Sequence, residues 1–262
     1  MTQGREILIE VDNLSVEFQT MEGVLRAVTN LSYTVSEGET VAILGESGSG
    51  KSVSIEALMG IIDAPMGRIT SGEIRFRGTD LLNMPAAHRH RINGEHIAMI
   101  FQDALAALNP SQTVGTQIGE MFTLHRGIGQ REAFRRAIEL MDRVRIPAAA
   151  ARAHSYPHEF SGGMRQRIMI ATAIALEPEV LIADEPTTAL DVTVQAQIMD
   201  LLTELRIERN MGLVLISHDL GVVADVADRV LVMYAGQIME CGPLREVYRA
   251  PGHPYSIGLL NS

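Results

Sequence analysis

An apolar run, Thr40-Val41-Ala42-Ile43-Leu44, opens directly into Gly45-Glu46-Ser47-Gly48-Ser49-Gly50-Lys51-Ser52, and nothing else in the chain constrains its fold as strongly. A buried strand that feeds a glycine loop and then a helix, here Ser52 to about Gly60, aims a fan of backbone N–H groups and the positive helix end at one spot. That spot suits phosphate. Glycines let the backbone pass close to phosphate oxygens, Lys51 can reach the β- and γ-phosphates, and the Ser52 hydroxyl can ligate Mg²⁺. The bland reading is a glycine turn that happens to precede a Lys. Against it stands the basic composition: of 22 Lys and Arg residues, the one at position 51 is the single Lys. Whatever bias filled the other basic positions with Arg stopped where a compact ammonium on a flexible stem is needed among phosphates.

The bulk numbers set limits. With 262 residues, 46% apolar and 21% charged, the chain is an ordinary globular protein, long enough for one large core or two smaller ones. A formal charge of −10 argues against nucleic acid as the main partner, because no basic stripe is available to displace counterions. The apolar stretches are short and bounded by Gly or charge, too short to span a bilayer. No charged-then-apolar leader follows Met1, and Cys241 alone cannot form an internal disulfide, which together point to the cytosol. Cys241 reads as a small apolar filler of a late strand rather than a reactive thiol.

Before the loop, Ile7 to Val11, Leu14 to Phe18 and Leu25 to Val35 read as β and predict an antiparallel layer. Phe18 is the aromatic expected to stack on an adenine ring, with plain sheet packing as the alternative. Gly72 to Gly78 alternates as an exposed antiparallel strand. Pro85 to Asn93 reads as a short solvated helix in which His88 and His90 do not share a face. Ile97 to Phe101 is the next buried strand, ending at Gln102. An amide at the carboxyl end of a core strand lies where α/β proteins place ligands, so Gln102 could reach Mg²⁺ or an attacking water. From Asp103 to about Ala175 the pattern is helical, with Val114 to Leu124 and Arg131 to Ile146 carrying the period, the latter through Phe134, Ile138, Met141 and Val144.

Ser161-Gly162-Gly163-Met164-Arg165-Gln166 then opens an apolar helix, a second N-terminal anion site capped by Ser161. One triphosphate needs one cradle, so the second implies another ligand or a site completed by another chain. Val180 to Glu185 is a buried strand ending in two carboxylates, costly unless a cation or a proton transfer uses them. Asp184 would hold Mg²⁺ through water and Glu185 would polarise the water that attacks the γ-phosphate. Asp191 caps the helix from Val192 to about Arg209. A last core strand, Leu213 to Ser217, delivers His218 to the same sheet edge as Lys51, Gln102, Asp184 and Glu185. Val230 to Tyr234 and Gln237 to Glu240 read as a terminal hairpin, and the apolar ending at Leu259-Leu260-Asn261-Ser262 looks cut short.

With these residues in place, the sequence closely resembles the ATP-binding subunits of ABC transporters over nearly its whole length. Walker A (Gly45 to Ser52), Q-loop (Gln102), signature (Ser161 to Gln166), Walker B (Val180 to Glu185), D-loop (Ala189-Leu190-Asp191) and switch His218 stand in the family's order. Leu108-Asn109-Pro110, Met164, Thr187 to Gln195 and His253-Pro254-Tyr255 resemble the oligopeptide/dipeptide/nickel importer branch. The resemblance implies an α/β P-loop ATPase core with an antiparallel β subdomain and an inserted α-helical subdomain: residues 1–102 and 176–242 as core and β layer, 103–175 as the helical part, 243–262 as the start of a C-terminal extension. It implies ATP and Mg²⁺ as ligands. Phe18, Gly45, Ser47, Gly48, Ser49, Gly50, Lys51, Ser52, Ser161, Gly162, Gly163 and Asp191 would contact the nucleotide. Ser52, Gln102 and Asp184 would serve the metal, and Glu185, His218 and Gln102 hydrolysis.

The implied assembly is a head-to-tail dimer with a second ATPase subunit, the same or different, on two integral membrane permease subunits served by an extracytoplasmic solute-binding protein. The chain would sit peripherally on the cytoplasmic face of the cell membrane and drive solute import, peptides first among candidates. Without a cysteine cluster, no iron–sulfur centre is expected. The rival is a soluble cassette ATPase acting on DNA ends or ribosomes, against which stand the missing heptads and the missing second glycine loop.

Overall fold

The computed structural model describes residues 5–188 and 190–261; Ala189, at the start of the expected D-loop, lies outside the described residues. The chain forms two compact units, Met1–Arg89 with Asn210–Ser262, and His90–Arg209.

The first unit opens with β1 (Ile7–Thr20) and β2 (Gly23–Ser36), a long antiparallel hairpin. The sequence pattern breaks β1 into two short strands. The structure joins them through Asn13, which takes a left-handed φ of 48° where the register slips between Val11 and Leu14. Asn tolerates that conformation, and the bulge it makes lets one strand continue. β3 (Thr40–Leu44) is buried along its whole length, and α1 (Lys51–Met59) follows the glycine loop. β4 (Gly67–Phe76) and β5 (Thr79–Asp80) complete an antiparallel sheet in the order β2-β1-β4-β5. The stretch expected to be exposed, Gly72 to Gly78, buries one face instead: Ile74 and Phe76 are in the core. Gly72 has a φ of 99°, and a Cβ there would lie 2.5 Å from Leu14 Cα.

Next comes α2 (Ala86–Glu95). His88 and His90 point to solvent, as expected of a polar helix, but Arg89 turns inward. Its guanidinium donates to Ala57 O and Leu58 O, both at 2.9 Å, and to Leu81 O at 3.1 Å. It thereby neutralises the carbonyl end of α1. Gly60 makes room for it, since a Cβ there would come within 2.4 Å of Arg89 Nε. Burial lowers the Arg89 pKa.

The second unit contains β6 (Ile97–Ile100), α3 (Ala104–Ala107), α4 (Val114–Arg126), α5 (Gln130–Arg143), α6 (Ala149–Arg152), a 3₁₀ turn at Pro157–Glu159, α7 (Gly162–Ala173), β7 (Val180–Asp184) and α8 (Val192–Arg209). β6 and β7 are parallel neighbours, Ile97 opposite Val180 through Ile100 opposite Ala183. Between them the chain is helical, as its pattern predicts. Of the expected stripe Met141 and Val144 are buried, but its first half shifts by one position: Ala133 and Ala137 are buried, while Phe134 and Ile138 lie on the flank. The reason is close packing. α4 presents Gly115 and Gly119 to α5, and a Cβ at Gly115 would lie 2.6 Å from the Phe134 ring. Small residues occupy the crossing, and the larger ones fill its edges.

The first unit resumes with β8 (Gly212–Ile216), α9 (Leu220–Val226), β9 (Arg229–Tyr234), β10 (Gln237–Pro243), α10 (Leu244–Arg249) and α11 (Pro254–Leu260). Here the strands run β10-β9-β3-β8, with β3 parallel to both β8 and β9 and β10 antiparallel to β9. The expected hairpin is present, but Cys241 is not a core filler. It is exposed, on β10, the outermost strand of the sheet. Among the described residues no helix is long and apolar enough to cross a membrane.

Candidate functional site

In the first unit, β3 delivers the chain to Gly45 at the carboxyl edge of its sheet. A side chain is impossible there: φ is 151°, and a Cβ would lie 2.3 Å from Met233 O and 2.8 Å from Ser49 Oγ. Gly50, at φ 99°, immediately precedes α1, and a Cβ on it would lie 2.4 Å from Ala27 O. Gly48, at φ 78°, has open space around it and is glycine for conformation alone. The loop is also seated on the β9–β10 turn, whose Gly236 N–H donates to Ser49 O at 3.0 Å. Ser47 and Ser52 are exposed, whereas Ser49 and Lys51 are buried. Lys51 Nζ donates to Gly45 O at 2.7 Å, to Glu46 O at 2.8 Å and to Ser49 Oγ at 3.5 Å. The cation therefore lies inside the curl of the loop, and Ser52 is exposed at the start of α1, where the first amides of a helix have no acceptor within it. Such a donor set fits a polyphosphate.

His218 lies on the same edge. Ser217 N–H donates to Ile43 O at 3.5 Å, which places the exposed His218 just beyond the end of β3's neighbour. Asp219 fixes the turn, since its carboxylate caps α9 by accepting from the Gly221 and Val222 amides, while its own N–H donates to Ser217 Oγ at 3.0 Å. Phe18 is half-buried near the end of β1, across from Gly67, where a Cβ would lie 2.7 Å from its ring.

The second unit gathers the acids. Asp184 ends β7 and is buried, and Glu185 follows with a left-handed φ of 46°. A non-glycine residue in that conformation is strained unless its surroundings hold it. Two hydrogen bonds do so: Gln102 Nε2 and Thr188 Oγ1 each donate to Glu185 Oε2 at 2.9 Å. Gln102, the expected amide at the end of β6, is thus brought onto the expected base. Thr188 was not among the sequence candidates; its only signal is its place three residues after Glu185, where a turn returns it to the carboxylate.

Ser161 caps α7, its Oγ accepting from Met164 N at 3.4 Å, and Asp191 caps α8 through Val194 N at 3.0 Å. Gly162 and Gly163 lie against that same region. A Cβ on Gly163 would stand 2.6 Å from Val194 Cγ1, so only glycine lets the α7 terminus pack so close to α8. Arg165 ties the approach loop down by donating to Pro157 O at 2.9 Å.

A glycine loop between a buried parallel strand and a helix, together with an Asp-Glu pair closing another parallel strand, defines a P-loop ATPase. Residues 28–188 match the ABC transporter family profile, and the chain belongs to that family. Its relatives include the oligopeptide transport ATP-binding protein OppD of Salmonella typhimurium, 53% identical over 99% of this chain and 77% of its own length. OppD of Escherichia coli is 51% identical over the same shares. Among solved structures, a dimeric post-hydrolysis state of the ATP-binding cassette MJ0796 bound to ADP and Pi matches with a TM-score of 0.81 and 28% identity, covering 91% of this chain and 99% of its own. CbiO1 of Clostridium perfringens, part of the transporter complex CbiONQ, matches at 0.78 and 27%, covering 94% and 92%. The chain is an ATP-binding, ATP-hydrolysing cassette of this family, and these relatives are transport subunits rather than DNA- or ribosome-directed ATPases.

Proposed function

We propose that this chain hydrolyses ATP to power the import of peptides through a membrane complex, and that Glu185 is its general base. The observation that carries the reading is the pinned Glu185 carboxylate, held by Gln102 and Thr188 next to the buried Asp184. Likeness to the oligopeptide transport ATP-binding proteins supports peptides as the cargo.

In this scheme Gly45, Ser47, Gly48, Ser49, Gly50, Lys51 and Ser52 grip the triphosphate, and Phe18 stacks on the base. Ser52, Gln102 and Asp184 provide a hydroxyl, an amide and a carboxylate, a hard oxygen donor set suited to Mg²⁺. When bound, the metal neutralises charge on the β- and γ-phosphates. Glu185 accepts a proton from water as the water oxygen bonds to the γ-phosphorus and the bond to the β-phosphate oxygen breaks. His218 donates a hydrogen bond to the γ-phosphoryl group as the diphosphate leaves, and Gln102 orients Glu185 and its water.

Ser161, Gly162, Gly163 and Asp191 serve the nucleotide of a second ATPase subunit in a head-to-tail dimer. The dimer sits on two permease subunits at the cytoplasmic face of the membrane, with an extracytoplasmic binding protein supplying solute. Residues 1–102 and 176–242 form the catalytic core with its β layer, 103–175 the helical part that meets the permeases, and 243–262 the segment after β10 that carries α10 and α11.

The test is peptide uptake by vesicles carrying the assembled complex. Glu185→Gln should abolish ATP-driven uptake and lower hydrolysis by about 10²–10⁴-fold while ATP still binds. Parental turnover in that variant removes Glu185 as base, and vesicles that hydrolyse ATP without accumulating peptide remove the cargo.

A further inference from the structure

The closing His253-Pro254-Tyr255 takes no part in the chemistry above, yet each of its residues is placed. His253 caps α11 by accepting the Tyr255 N–H on Nδ1 at 3.1 Å, and Pro254 opens the helix. Glu240 on β10 accepts from the Gly252 and His253 amides at 2.7 and 3.1 Å, fixing the entry to that helix. Tyr255 then leans on Tyr234, ring centroids 4.6 Å apart and planes at 45°. Its hydroxyl oxygen accepts the Glu46 N–H at 3.2 Å.

That N–H belongs to the peptide joining Gly45 and Glu46, the first peptide of the phosphate loop. The other end of the same peptide, Gly45 O, accepts Lys51 Nζ at 2.7 Å. One peptide plane is therefore held from both sides, by Lys51 through its oxygen and by Tyr255 through its nitrogen. A peptide that follows glycine turns easily, because no Cβ on Gly45 resists rotation. An ammonium that swings to a phosphate oxygen must give up Gly45 O, and Tyr255 then still holds the plane through the Glu46 N–H.

We propose that Tyr255 is a positioning residue for the phosphate loop: its hydroxyl fixes the Gly45–Glu46 peptide, and through it the C-terminal segment sets the affinity for nucleoside triphosphate. The proposal rests on the phosphate-loop reading of Gly45 to Ser52, and its test separates the two. Tyr255→Phe keeps the ring on Tyr234 and removes only the acceptor, whereas Tyr255→Ala removes both.

In the full-length chain without nucleotide, Tyr255→Phe should raise hydrogen exchange at the Glu46 amide about three- to tenfold, with β9 amides and the melting temperature unchanged. Equilibrium binding of a fluorescent ATP analogue should weaken about three- to tenfold. Parental exchange or parental affinity in Tyr255→Phe overturns the proposal; if only Tyr255→Ala shows the losses, ring packing is the agent. Lys51→Ala, measured alongside, reports on the loop itself: parental ATP binding there defeats the phosphate-loop reading, while the exchange measurement still decides the Tyr255 contact.

Discussion

Lys51 touches three acceptors of its own loop, two of them main-chain oxygens within 2.8 Å, and an ammonium is the only basic group compact enough to make these contacts. Lys51→Arg keeps the charge but enlarges the head group inside a loop where glycines already exclude a Cβ at Gly45 and Gly50. Its affinity for ATP should fall by about tenfold or more, read by titration calorimetry; unchanged affinity would show that charge alone suffices. At this scale the sequence is informative where one residue type serves one purpose. The solitary Lys and the Asp184-Glu185 pair can be read without coordinates. Thr188 and Tyr255 cannot, because a hydroxyl has no distinctive spacing and gains its role from the backbone that carries it. Even Glu185 hid something: nothing in the order of residues announces its left-handed φ.

At the scale of elements, the first unit's two sheets share a polar clasp. Glu39, just before β3, accepts from Ser36 N at 2.9 Å and from Arg229 Nε at 2.8 Å, and Arg229 also donates to Thr34 O at 2.6 Å. β2, β3 and β9 are thereby tied at the amino end of β3, opposite the phosphate loop. Burial works against the Glu39 charge, but the hydrogen bonds from Arg229 and the Ser36 amide outweigh it and hold the carboxyl below its ordinary value of 4.5. A carboxyl lowered in this way stabilises the fold above its unfolded-state pKa, and the contribution is lost as pH falls through the lower folded-state value. Glu39→Gln should therefore unfold more easily at pH 7 by about 1–3 kcal/mol, and the difference from the parent should shrink as pH drops below 4.5. Urea melts across that range give the answer; a constant difference would mean the clasp acts through packing and not charge. Other elements show where pattern reading stops. Period placed α5 within a residue at its start and Met141 and Val144 in the core, but the first half of the buried stripe moved to Ala133 and Ala137 because Gly115 and Gly119 across from it allow close approach. Amphipathic spacing records which side chains are apolar, and it does not record how near the neighbouring helix comes. Cys241 failed for a similar reason, since strand pattern alone does not reveal which strand ends a sheet.

For the molecule as a whole, the unresolved element of the sequence was its second anion cradle, and the structure sharpens the point. The α7 terminus is a finished helix start, capped by Ser161 and packed through Gly163 onto Val194, so its shape does not depend on a ligand. A finished cradle in a chain whose phosphate loop already has one is what the proposed head-to-tail pair requires, each chain capping the other's triphosphate. Two copies each carrying −10 would repel at long range, and in the proposed pairing the contacts that oppose this run through the bound nucleotide. The Glu185→Gln chain, able to bind ATP but not to consume it, should run as a monomer alone or with ADP and as a dimer with ATP and magnesium, holding one nucleotide per chain. Adding Ser161→Ala to that background should raise the protein concentration needed for pairing about tenfold or more, beyond the roughly 1 kcal/mol that the lost cap takes from the helix itself, which a thermal melt measures separately. Light-scattering chromatography distinguishes the outcomes. A dimer that forms equally well with ADP, or one indifferent to Ser161, would mean that the cradle on α7 serves some other anion and that ATP is gripped within a single chain.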